Sequence, residues 1–128
     1  MSTGSVPTWK RGDTDPPYTA FLLQAAGASV LPLTAASTVE FVALNTGASL
    51  GGAPTSLRIK GAMTIPSPPQ GMVQYVFGQS DLILADAYNV EYEITWSNGT
   101  VRTVPGDSYD IFYVIADLEG DPLASDPV

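Results

Sequence analysis

The 128-residue chain contains no cysteine and no histidine. The first absence excludes disulfide staples, zinc–thiolate sites and thiol catalysis. The second removes the commonest general base, the commonest metal ligand and the usual pH switch. Charge is also scarce: 14% of residues are charged against 45% apolar, the reverse of a disordered composition. A surface so poor in charge is expected to be covered in part by other protein in the working state. No apolar run approaches the ~18 residues that mark a membrane span. The opening stretch MSTGSVPTWKRGDTDPP has no apolar signal region, so a soluble protein made in a cytosol is expected. No P-loop, dinucleotide fingerprint, nucleophile elbow or metal motif is written in the chain. Hence no cofactor, no metal and no catalytic residues are expected, and the chain is read as not an enzyme.

What is present fits one domain, large enough to bury a core without staples. The net charge of −8 is unevenly placed. Residues 1–78 hold Asp13, Asp15 and Glu40 against Lys10, Arg11, Arg58 and Lys60, a net of +1. Residues 79–128 hold ten acids against Arg102 alone, a net of −9. Phosphate backbones and anionic lipid repel such a chain, so neither nucleic acid nor membrane is expected as a partner.

Proline and glycine divide the sequence into short pieces, and no helical period survives between them. The pieces are rich in Val, Ile, Tyr, Phe and Thr, which is strand chemistry. Strands are expected at Tyr18–Gln24, Ser29–Leu33, Thr38–Asn45, Leu57–Thr64, Met72–Phe77, Tyr88–Trp96, Val101–Val104 and within Asp107–Asp117. The clearest is Tyr88–Trp96, where Val90, Tyr92, Ile94 and Trp96 alternate with Glu91, Glu93 and Thr95. Period two sends the first set to the core and the carboxylates to water. Residues 65–71, with three prolines, read as a turn, and Asp81–Ala85 as one helical turn. Asn98-Gly99 predicts a tight type I′ hairpin. The last strand is apolar on both faces, so it should be central or covered by a partner. Seven or eight short strands predict an all-β, immunoglobulin-like antiparallel β-sandwich. Its span is 10–118, between a flexible N-terminal arm over 1–9 and an acidic tail over 119–128.

Candidate chemistry is sparse. Arg11-Gly12-Asp13 spells an adhesive tripeptide, but reads as a turn before the first strand. Glu91 and Glu93 lie about 6–7 Å apart along a strand, a spacing glycosidases use. Their place on a polar hairpin face favours solvation. Asp81, Asp86, Asp107 and Asp110 could surround calcium only if their loops gather. Asn98-Gly99-Thr100 matches a glycosylation sequon, though the hairpin accounts for it. Trp9, Tyr18, Tyr75, Tyr88, Trp96, Tyr109 and Tyr113 could form a sugar platform. At alternating strand positions such rings are more often core, so Tyr92 and Trp96 are expected inside. Trp9, ahead of the proline pair, is expected at an intersubunit contact. The protein-interface set is Trp9, Lys10, Arg11, Leu50 and Phe112.

Several segments together resemble a family. They are KRGDTDPP at 10–17, LTAASTVEF at 33–41, GMVQYVF at 71–77, Asp81, AYNVEYEITWSNGTVRTVP at 87–105 and DSYDI at 107–111. Their order and spacing resemble the N-terminal domain of phage baseplate upper proteins, of the BppU type, and small stand-alone phage structural proteins. The likeness covers about residues 8–118. It implies an immunoglobulin-like sandwich that docks onto a symmetric phage ring or shell, with no catalytic residues. No triple-helical stalk and no receptor-binding head is expected from these residues, which extends the expectation to a capsid or tail decoration protein. The expected partners are other phage structural proteins (baseplate, tail or major capsid protein) and copies of itself. The expected location is the virion, after synthesis in the host bacterial cytoplasm. The alternative is a carbohydrate- or receptor-binding module used in host adsorption.

Overall fold

The computed structural model describes residues 6–24, 29–47, 57–106 and 108–116. Among them lie nine strands: β1 (Thr8–Lys10), β2 (Tyr18–Phe21), β3 (Ala36–Asn45), β4 (Arg58–Ala62), β5 (Thr64–Ser67), β6 (Met72–Tyr75), β7 (Asp86–Trp96), β8 (Val101–Val104) and β9 (Asp110–Ile115). The chain is an all-β sandwich. One sheet has the order β1-β9-β7-β3-β4, with β8 also paired to β7. The other has the order β2-β6-β5.

Alternation builds the core as the sequence predicts. On β7, Tyr88, Val90, Tyr92 and Ile94 are buried and Trp96 is half-buried. Their antiparallel neighbours on β3 pair Val39 with Ile94, Phe41 with Tyr92 and Ala43 with Val90. The second sheet closes over them with Tyr18, Val73 and Tyr75. Phe41 and Tyr75 stack at 4.5 Å, and Tyr88 and Phe112 at 4.8 Å. Each such side chain contributes about 1.5–3 kcal/mol on leaving water.

Trp9 departs from expectation. Residues 1–5 of the expected arm lie outside the described residues, but Thr8–Lys10 forms β1 and pairs in parallel with β9. That pair is the one non-antiparallel pairing among the described strands. Trp9 is buried, not offered to a neighbouring subunit. Its ring stacks on Tyr18 at 5.8 Å and meets Phe77 and Phe112 edge-on. Its indole Nε1 donates to the Pro16 carbonyl at 2.8 Å. An indole satisfied at its polar corner and enclosed by rings is core material.

Four local expectations also change. The segment 29–33 is not a strand but holds one isolated bridge, Leu23 to Val30, because Pro32 interrupts the ladder. Thr64–Ser67 is a strand despite Pro66, since β5 is an edge and needs no donor on its open side. Pro68–Gln70 then makes a 3₁₀ turn closed by Gly71 at φ +67°. No helix forms at Asp81–Ala85, where turns run instead. In the β7–β8 hairpin, Gly99 N–H donates to Trp96 C=O at 2.9 Å. Ser97 and Asn98 are therefore the turn centre and Gly99 follows at φ +90°, a three-residue loop rather than the two-residue type I′ form. The Asn98 side-chain oxygen, accepting from Thr100 N–H and Oγ1, holds that loop.

Candidate functional site

The expected interface set separates on folding. Trp9, Arg11 and Phe112 are all buried in the chain's own interior and cannot face a partner. Phe112 is inward because β9 turns Phe112 and Val114 to the core, against Tyr88. Arg11 follows β1 and its N–H donates to Ile115 O at 2.8 Å, while Gly12, at φ +88°, donates to Leu82 O at 2.7 Å. The Arg-Gly-Asp triplet is thus a turn with its arginine enclosed. Lys10 is exposed, and Leu50 lies outside the described residues.

What β9 offers outward is its other parity. Ile111, Tyr113 and Ile115 are 43%, 37% and 37% exposed although the strand is central, between β1 and β7. Leu44, exposed on β3, lies across Asn89 from Ile111. The apolar second face expected of this strand is present, and the fold itself leaves it open.

Among the described residues the carboxylates do not gather. Glu91 and Glu93 sit on the outward face of β7, half-buried and exposed. Asp81 accepts from the Tyr75 hydroxyl at 2.8 Å and Gly78 N–H at 2.7 Å. Asp107 lies outside the described residues, among which no group of three metal-capable side chains exists. Of the aromatics considered for a sugar platform, Trp9, Tyr18, Tyr75 and Tyr88 are buried. Tyr109 and Tyr113 are exposed, and Trp96 is half-buried.

Asp86 is buried completely, and sequence reading missed its role. Its carboxylate accepts from Asn45 Nδ2 at 3.0 Å, Gly47 N–H at 3.2 Å and Ala87 N–H at 2.7 Å. Asn45 in turn accepts from Leu57 N–H at 2.7 Å. The signal was available: 39, 41, 43, 45 and 86, 88, 90, 92 are the inward parities of β3 and β7. A polar residue ending each inward row must find partners, because an unsatisfied buried polar group costs about 1–3 kcal/mol. The pair ties Gly47 and Leu57 to the sheet, a structural task.

A concave site is present besides. A groove of about 390 Å³ runs between β2 and the β8–β9 connection. Phe21, Leu22, Leu23 and Gln24 form one wall, and Val104, Pro105, Gly106, Ser108 and Asp110 the other, with Tyr92 at its base. A hydroxyl relay leads into it. Tyr92 OH donates to Asp110 Oδ2 at 2.7 Å, so the 2.7 Å bond between Tyr18 OH and Tyr92 OH is donated by Tyr18. Burial raises both phenols, Tyr18 to about 12 and Tyr92 well above the ordinary tyrosine value, so each stays a neutral donor. The relay holds the Asp110 carboxylate at the groove wall with lone pairs to spare. Among the described residues no cation pairs with it.

No helix among the described residues is long and apolar enough to cross a membrane. Scans against protein-family models and against curated proteins return no match.

Proposed function

We propose that the chain is a non-enzymatic structural protein of a bacteriophage virion, an immunoglobulin-like docking module attached in several copies to a symmetric assembly. Baseplate or tail adaptor and capsid decoration are the two forms this takes. The observation that carries it is the outward apolar row of β9. A central strand with three bulky apolar side chains in water is a liability for a monomer and a ready contact for a partner. The charge-poor composition and the segment-by-segment resemblance point the same way.

Mass spectrometry of purified virions tests this. The protein should be present in multiple copies per particle. The double variant Tyr113→Glu, Ile115→Glu should melt as the parent does yet fail to enter particles, because it spoils only outward positions. Absence of the parent from particles, in a host that expresses it, refutes the reading.

A further inference from the structure

The groove beside β2 has a feature that an ordinary surface cleft lacks: one wall is an unpaired strand edge. Leu22 N–H donates to Gly71 O at 2.9 Å, in register with the Tyr18–Tyr75 and Ala20–Val73 pairs. In an antiparallel ladder both main-chain groups of a residue point to the same side, and the side alternates. Tyr18, Ala20 and Leu22 therefore turn theirs toward β6, and Thr19 and Phe21 toward the open edge. Leu23 does likewise, because the bonds flanking its bridge to Val30 run from Gln24 N–H to Ser29 O and from Leu31 N–H to Leu22 O. Among the described residues β2 is the terminal strand of its sheet, and no described strand covers these groups. The side chains of the same residues are exposed, Phe21 to 56%.

We infer that this groove binds an extended segment of a partner protein, added as a fourth strand on the open edge of β2, with apolar residues at alternate positions and a lysine or arginine that pairs with Asp110. Alternation imposes the pattern. One parity of the added strand enters between the sheets, against Leu22, Tyr92 and Val104. The other continues the outer row of Phe21, Leu23 and Val30. The backbone of the segment takes up the open donors and acceptors of Thr19, Phe21 and Leu23, which is recognition by strand addition. Charge selects the sign of the polar anchor. Among the described residues the Asp110 carboxylate in the wall has a neutral hydroxyl as its side-chain partner, and the chain carries a net −8. A cationic side chain completes Asp110, whereas an acidic one is repelled. At the far end Arg102 Nη2 donates to Gln24 O at 3.1 Å, bounding the groove.

The inference rests on reading the chain as a docking module, but not on which assembly it joins. A library of random heptapeptides is panned against the immobilised full chain. Enriched sequences should carry bulky apolar residues at alternate positions and one lysine or arginine. A capped synthetic peptide from that set should shift the amide resonances of Phe21, Leu22, Leu23 and Gln24 together with those of Val104, Gly106, Ser108 and Asp110. N-methylation of its amides at one parity should abolish binding, and at the other leave it within about twofold, because only one parity faces β2. Asp110→Asn retains an acceptor for Tyr92 and should melt like the parent. It should weaken the cationic peptide about tenfold and leave a norleucine-for-lysine analogue unchanged, as expected for one charge-assisted bond. No enrichment, enrichment of acidic sequences, equal loss at both N-methylated parities, or shifts confined to other strands overturns the inference. Selected peptides that bind the groove, with the protein absent from virions, would remove the phage assignment and leave the groove. A protein present in virions whose groove enriches nothing would do the opposite.

Discussion

Replacing Trp9 by alanine decides whether β1 is part of the core or a strap for a neighbour. The indole is 6% exposed, packs on Tyr18, Phe77 and Phe112, and spends its N–H on Pro16. Truncating a buried tryptophan costs about 3–5 kcal/mol in lost transfer energy and cavity. The lost hydrogen bond adds little, since Pro16 is exposed and its carbonyl regains water. About 4 kcal/mol is expected. Taking about 2.1 cal/mol/K per residue, a chain of this length unfolds with roughly 0.27 kcal/mol/K of entropy, so the midpoint should fall by about 15 °C. Trp9→Phe keeps a ring in the aromatic cluster and should lose about 1–2 kcal/mol, near 5 °C. Differential scanning calorimetry of the isolated chain reads both values. A fall of less than about 3 °C for Trp9→Ala would show that the indole is not packed as described, and would return Trp9 to the surface.

Asp86→Ala should destabilise by about 3–5 kcal/mol in urea titrations, because it strands the buried Asn45 amide and removes the acceptor of the part-buried Gly47 and Ala87 N–H groups in one step. Gly61→Ala should cost about 1–3 kcal/mol by the same assay. A Cβ there would stand 2.7 Å from Tyr75 Cε1, and that ring is held between its stack on Phe41 and its bond to Asp81. At high pH the buried phenols should drive unfolding. Burial raises Tyr18 to about 12, and Tyr75, Tyr88 and Tyr92 upward as well, so the folded chain keeps protons that the unfolded chain releases above about pH 10. Their stabilisation is complete below pH 10 and is lost as pH rises toward 12 and beyond. Absorbance at the phenolate band should therefore rise cooperatively with the loss of near-ultraviolet dichroism; ionisation of these four rings without unfolding would contradict their burial.

Strand identity was legible wherever period two ran unbroken. Val90, Tyr92 and Ile94 on β7 are sent inward by alternation, and all three are buried. Short elements were not legible. A three-residue strand such as β1 has no period to read, and only the partner β9 makes it a strand. Pro66 looked like a breaker, yet an edge position tolerates it. Trp9 and Phe112 of the interface set turned inward for the same reason: a tryptophan and a phenylalanine read alone do not say which side of a sheet they face. The groove was invisible too, because Leu22, Val104 and Asp110 are far apart in sequence.

Alternating apolar residues between glycine and proline breakers, with no cysteine or histidine to supply other chemistry, determined by themselves that this chain is an all-β sandwich. Burying one face of each strand satisfies that pattern locally. Which rings meet, which carboxylate is enclosed, which apolar row stays in water and which strand edge is left unpaired were decided only by the tertiary structure. Those outcomes depend on long-range registers between strands, and no local spacing in the sequence encodes them.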